Sequence, residues 1–383
     1  MDFNDYFEPV DVSKLDLSIH ERQDKNLYSQ VNKEFSSFNL EDLDLAIFGV
    51  CEERNSRNKG TAGAPDKIRQ QFYRLCKSER AGIIDFGNLK PGKSLKDTYT
   101  AVSEVTSEFL SNKVIPVVLG GSQDIMYALY LAYDKLNLPI KLAAIDPKLD
   151  LGYKKDDFDS DSYLGQIILE KGKNLFNFSN IGYQSYFCNK DELQLLNKLN
   201  FDAFRLGYVR SNLSDIEPVL RDANILGIDV SAIKQSDSPG HKFPSPNGLY
   251  SEEICQLARY AGISDNLSIF GIFDMNPVFD VNEQSARLAA QIIWHFIDGF
   301  NSRQKDFPLT DSQNYTKHIV SFEKSDQNIV FYQNNFNKRW WMEVPYPKNP
   351  QKNMTIACTY NDYKMSCNQE LPERWLKTIQ KLN

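Results

Sequence analysis

The chain has 383 residues, of which 41% are hydrophobic and 25% charged, the composition of a globular protein with ample material for a large core. A formal net charge of −7 argues against a nucleic-acid or anionic-membrane partner. No apolar run reaches the roughly 18 residues that would span a bilayer. The acidic start "MDFNDYFEPVDVSKLD" has no apolar signal core, so the sequence predicts a cytoplasmic protein.

Residues 1–42 are polar and are predicted to form an irregular N-terminal extension, with one amphipathic stretch at "NLYSQVNKEFSSF". From residue 43 a series of short apolar runs begins, each ending in glycine, aspartate or a polar turn. They are "LDLAIFGV", "AGIIDFG", "VIPVVLGG", "IKLAAID", "SNIGYQ", "AFRLGYV", "ANILGIDV" and "LSIFGIFD". Continuous apolar segments of this kind suit strands buried on both faces of a parallel sheet. Between them "SLKDTYTAVSEVTSEFLSN", "IMYALYLAYDKL", "SEEICQLARYAG" and "EQSARLAAQIIWHFIDGF" carry apolar residues at helical spacing. The alternation predicts a three-layer α/β/α domain over residues 43–302, with a mainly parallel sheet of about eight strands.

From residue 303 the composition shifts to Asn, Gln, Lys, Tyr and Trp. Strand-like pieces "HIVSFEK", "NIVFYQN" and "RWWMEVPY" precede a short helix, "PERWLKTIQKL". Residues 303–383 are therefore predicted to be a β-rich C-terminal appendage. Trp340 and Trp341 beside Lys338 and Arg339 would suit a protein interface or, alternatively, cover this chain's own core. The six cysteines are scattered without a C-x-x-C pair, which points to reduced, mostly buried thiols and not to a metal or redox site.

In open parallel sheets, ligands bind beyond the carboxyl ends of the strands. Four runs end in polar groups: Gly120-Gly121 with Ser122 and Gln123, Asp146 with Asp150, Asp229 with Ser231, and Asp274 with Asn276. Singly, each has a simpler role, since an aspartate at a strand end caps the next helix and Gly-Gly permits a turn. Four at the same end of one sheet would make a rim of converging side chains.

Together these segments resemble the arginase/ureohydrolase family, and within it formimidoylglutamase-like members, over roughly residues 43–300. "GGSQD" at 120–124 is similar to the family's Gly-Gly-Asp-His-Ser turn, and "DPKLD" at 146–150 to its Asp-Ala-His-x-Asp stretch. "GIDVSAIKQSDSPG" at 227–240 is similar to its Ser-x-Asp-x-Asp stretch leading to Pro-Gly. "NKGTAGAPDKIR" and "FDMNPVFD" match its Gly-rich helix entry and its Glu-x-Asn-Pro segment. The resemblance implies an arginase-like fold and a site where two Mn²⁺ ions, held by two histidines and four aspartates, generate the hydroxide that attacks an amidine or guanidine carbon.

Carried over position by position, that ligand set is incomplete. Gln123 and Lys148 stand at the two histidine positions, Ser231 at an aspartate position, and Asp274 where the family has its substrate-facing glutamate. Asp146, Asp150 and Asp229 remain of the six, with Asp274 and Asn276 as substrate-pocket candidates. A protonated lysine has no lone pair and cannot ligate a metal. Lys148 is instead expected to place its charge among Asp146, Asp150 and Asp229, leaving at least one carboxyl with a raised pKa. His241, just after Pro239-Gly240, is expected to be an exposed loop residue.

The expectation is a family member without its two-metal centre, needing no cofactor and acting as a non-catalytic binding or assembly component. A protein partner, a homo-oligomer or a small-molecule ligand would suit such a role. The alternative is an active hydrolase of linear amidines using Mn, or a single Mg²⁺ or Ca²⁺, on Asp146, Asp150 and Asp229. A dinucleotide site is disfavoured, because "GTAG" at 60–63 lacks the G-x-G-x-x-G spacing.

Overall fold

The computed structural model describes residues 1–18, 24–34, 39–78, 80–152, 159–308, 312–323 and 328–383. Its first sheet comprises β1 (Phe7–Glu8), β2 (Leu45–Val50), β3 (Ile83–Leu89), β4 (Ile115–Gly120), β5 (Ile140–Ile145), β6 (Leu175–Tyr183), β7 (Asp202–Arg205), β8 (Ile225–Asp229) and β9 (Ile269–Phe273). The order across it is β1-β3-β2-β4-β9-β8-β5-β6-β7. All pairings are parallel except β1 with β3. Strand β1 is the one the sequence did not announce. Two residues of the polar N-terminal extension add an antiparallel edge, anchored by Phe3 and Phe7, which pack against Phe86 and Phe48.

Helices cover both faces. They are α1 (Leu27–Gln30), α2 (Ala64–Arg74), α3 (Leu95–Ser111), α4 (Ile125–Leu136), α5 (Tyr163–Gln166), α6 (Lys190–Lys198), α7 (Leu206–Ser211), α8 (Leu213–Asp222), α9 (Ser251–Ile263) and α10 (Gln284–Asn301). One core holds α2 and α7 to α10 against residues such as Ile47, Val117, Ile145 and Ile228. The other holds α3 to α6 against Phe48, Val118, Ala144 and Phe178 on the opposite sheet face. Both faces being buried explains why the strands read as continuous apolar runs.

Two local expectations change. The run "AFRLGYV" ends its strand at Arg205 and turns into α7, because Leu206 and Val209, three residues apart, bury one helical face. The amphipathic stretch at 26–38 is helical only over Leu27–Gln30; Asn32 then bridges to Ile84, and residues 35–38 lie outside the described residues.

The second sheet is an antiparallel meander of β10 (Tyr315–Ser321), β11 (Asn328–Asn334), β12 (Trp340–Tyr346) and β13 (Asn349–Cys358). It is followed by α11 (Tyr360–Cys367) and α12 (Glu373–Leu382). Trp340 and Trp341 are 6% and 1% exposed, so they serve this chain's own packing and not an external interface. Buried Arg221 of α8 lies 4.2 Å from the Trp341 ring centroid and donates to the carbonyls of Trp340 and Cys358. That contact seats the second sheet on the first unit. Of the six free cysteines only Cys188, Cys255 and Cys358 are buried, fewer than expected.

Candidate functional site

Strands β4, β9, β8 and β5 are consecutive neighbours, so the four polar strand ends sit side by side. The Gly120-Gly121 turn is there for close approach. A Cβ on Gly120 would meet the Phe273 ring at 2.1 Å, and one on Gly121 would meet the Glu52 carbonyl at 2.0 Å. Drawn in this way, the turn sends Gln123 inward. Its Nε2 donates to Asp146 Oδ2 at 2.6 Å, and its backbone N–H donates to Asp274 Oδ2 at 3.2 Å.

Asp146, Asp150, Asp229 and Asp274 are all buried. Asp146 also accepts the Lys148 N–H at 2.7 Å, and Asp229 accepts the Ser231 N–H at 2.6 Å. Asp150 and Asp274 hold left-handed backbone, φ 46° and 60°, which short polar side chains tolerate best. The carboxyls feel one another at low dielectric. Burial, then the charge of Asp229, pushes Asp146 up to about 7. Burial and then Asp146 hold Asp150 well above its usual range, with a hydrogen bond between the two carboxyls. Burial and then Asp229 and Asp124 do the same to Asp274.

Lys148 has a fourth acidic neighbour. Its Nζ pairs with Asp161 Oδ1 at 3.1 Å, a partner the sequence did not predict, while its charge still acts on Asp150 and Asp229 as expected. Burial opposes its charge, but Asp161 and Asp150 outweigh that and keep the ammonium protonated. Two further corrections follow. His241 is half-buried, and its imidazole faces Asp229; burial lowers its pKa against that carboxylate, while Nδ1 accepts the Phe243 N–H at 3.0 Å. Asn276 is fully buried and donates to Asn58 Oδ1 and the Lys59 carbonyl, both at 2.8 Å, so it clamps the 56–60 loop and does not face a pocket.

Three neighbours carried no sequence signal. Tyr163 of α5 is buried against Gln123 and the Asp146–Asp150 pair. Asp161 lies in a short 3-10 helix, and Glu52 lies two residues past the end of β2, a strand end that no motif had marked; only the tertiary fold brings them in. Carboxylate or imidazole groups at the retained strand ends that could offer lone pairs to a cation are Asp146, Asp150, Asp229, Asp274 and His241, with the Ser231 hydroxyl as a weaker, neutral donor. Among the described residues, no three His, Cys, Asp or Glu side chains are arranged to hold a metal ion.

The model of the arginase family matches residues 43–298, two thirds of the chain and every strand end of the site. The chain belongs to the arginase family. This arginase-family chain is formimidoylglutamase-like: it is 28% identical over 270 residues to the formimidoylglutamase of Staphylococcus aureus strain bovine RF122 / ET3-1, covering 66% of this chain and 85% of that one. Among solved structures, a Trypanosoma cruzi formiminoglutamase with Mn2+2 superposes with a TM-score of 0.66 at 22% identity, covering 74% of this chain and 100% of that one. The formimidoylglutamase of Bacillus subtilis subsp. subtilis str. 168 gives 0.66 at 17% identity, covering 76% and 96%. At these identities the two structures speak for the arginase fold alone. No helix among the described residues is long and apolar enough to cross a membrane.

Proposed function

We propose that this formimidoylglutamase-like chain does not assemble a binuclear manganese centre and acts as a non-catalytic binding or assembly component. The observation that carries the reading is the donor chemistry at two ligand positions. Gln123 points an amide N–H₂ at Asp146, and Lys148 brings an ammonium paired to Asp161. Mn²⁺ needs lone pairs, and both groups offer N–H donors to the very region where a cation would sit. The Gln123–Asp146 hydrogen bond also engages an aspartate oxygen that a metal would need. The relict positions are Gln123, Asp146, Lys148, Asp150, Asp229 and Ser231, with Asp274 as the remaining pocket carboxyl.

Without two metal ions the fold lacks its means of making hydroxide at neutral pH. What remains is a cluster of buried carboxyls engaged in hydrogen bonds. The reading carries with it a cytoplasmic location, a protein or small-molecule partner, and a division into residues 1–42, 43–302 and 303–383.

One observation favours a second reading, an amidine hydrolase with an altered or single-metal site: Asp146, Asp150 and Asp229 are retained, buried and adjacent. Metal analysis of protein purified with Mn²⁺ separates the two. The first reading expects no stoichiometric metal and no release of formamide, urea or ammonia from a panel of amidines and guanidines. Two Mn per chain, or turnover that chelation abolishes, would overturn it.

A further inference from the structure

The candidate site occupies the carboxyl ends of the strands; the amino ends of β5 and β6 border a separate cleft. A cavity of about 490 Å³ lies between β5 to β7, α8 and the C-terminal helices α11 and α12. Lys141, at the start of β5, lines it, while Asp146 lies just past the end of that strand. Five residues of extended chain put roughly 17 Å between them. Helix α12 turns one face into the cavity, with Arg374, Lys377 and Lys381 at positions i, i+3 and i+7.

Bases and acids are both present, but their partners differ. Asp202 accepts from Lys377 at 2.9 Å, Asp222 pairs with Lys141 at 3.3 Å, and Glu373 pairs with Lys377 at 2.9 Å. Asp362 is taken up in capping α11 through the N–H and hydroxyl of Thr359. Asp215 accepts from Tyr208. Arg374, by contrast, comes only within 3.9 Å of Asp362, and its buried Nε has no acceptor among the described residues. Lys381 donates to a neutral group, Asn177 Oδ1, and lies 5.9 Å from the Phe176 ring centroid. Beyond Phe176 and Lys381 the cleft continues into a second cavity of about 640 Å³, which adds Lys173 and Lys198 and, among the described residues, no acidic side chain.

We propose that this cleft binds a small organic anion carrying carboxylate or phosphate groups, held between Arg374 and Lys381, with Lys173 and Lys198 at its outer end. The unused hydrogen-bonding capacity is donor capacity: a guanidinium whose nearest carboxylate stands 3.9 Å away and a lysine resting on a neutral amide both match a carboxylate or a phosphate. The volume suits a metabolite-sized ligand. Such a ligand bridges α12 and the sheet, so it couples the C-terminal unit to the first one.

Titration calorimetry on the full chain, with inorganic phosphate and separately with glutarate, tests this at constant ionic strength set by chloride. The expected result is saturable binding of at least one anion, a raised melting temperature in its presence, and at least tenfold weaker affinity in Lys381→Met. Phosphate alone or glutarate alone would identify which source the site takes. Because Arg374 is half-buried, the Lys173→Met/Lys198→Met double variant is the safer second probe, with an expected loss of several-fold. Burial lowers the Lys381 ammonium to about 8, with Asp202 opposing and Lys377 and Lys141 adding to it, so affinity should fall as pH rises through about 8. Absence of saturable binding, or binding that Lys381→Met leaves unchanged, would overturn the proposal. Neither outcome depends on whether the aspartate pocket holds metal.

Discussion

At the scale of single residues, the site is governed by what Gln123 and Lys148 can and cannot donate. The triple change Gln123→His, Lys148→His and Ser231→Asp replaces an ammonium without lone pairs and two weak neutral oxygen donors with imidazoles and a carboxylate, which suit Mn²⁺ better. We expect it to bind manganese that the parent chain does not retain, read by elemental analysis after dialysis. Failure would mean that the surrounding backbone, and not only the ligands, has been remodelled. Stability draws on a different buried carboxylate. Asp85, fully buried, accepts from Arg69 Nε at 2.7 Å, the Tyr73 hydroxyl at 2.9 Å and the Gly87 N–H at 2.9 Å. Arg69→Met strips its counter-charge and should cost about 3–5 kcal/mol in urea unfolding. A loss below about 1 kcal/mol would show that Asp85 takes up a proton instead. The sequence showed the ligand positions through strand-end spacing, but nothing in it marked Arg69 with Asp85, sixteen residues apart on a helix and a strand.

At the scale of elements, close approach decides more than propensity. The "GGSQD" turn is legible as a turn from its glycines, yet the reason for Gly121 is the Glu52 carbonyl, a contact across 69 residues of sequence. Gly121→Ala should therefore displace the turn and lower the melting temperature, with the shift of Gln123 visible as loss of its amide signal pattern in NMR. The C-terminal meander is held to α8 through Arg221 and Trp341. Trp341→Ala removes a fully buried aromatic and should cost about 3–5 kcal/mol. Limited proteolysis would then cut first between α10 and β10 if that contact is what docks the unit. Strands β10 to β12 were readable from alternating aromatic pieces. Strand β13 and α11 were not, because their polar, Asn- and Lys-rich sequence takes its order from pairing with β12 and from Tyr363 packing against Phe331 and Trp340 of the sheet.

At the scale of the molecule, charge and pH link the two units. Lys381 of α12 has a folded pKa of about 8, below the ordinary lysine value, because burial disfavours its charge. The sign follows directly. Between pH about 8 and about 10.5 the unfolded chain holds a proton that the folded chain does not, so stability rises with pH across that window. Below pH about 8 both states are protonated and the folded state bears the cost. Lys381→Met should flatten this rise in a pH series of urea midpoints; an identical slope in both proteins would refute it.

The sequence alone determined the fold class, because strands buried on both faces must be apolar throughout and must alternate with amphipathic helices. It also determined which strand ends carry the polar rim, since period and chain order fix both. What only the tertiary structure decided is where each charge finds its partner. Lys148 goes to Asp161, His241 turns toward Asp229, and Asn276 becomes a loop clamp. The physical reason is that apolar burial is a property of segments and is written locally. An ion pair or hydrogen bond is a property of two atoms, and separate segments bring them together only after the chain has folded.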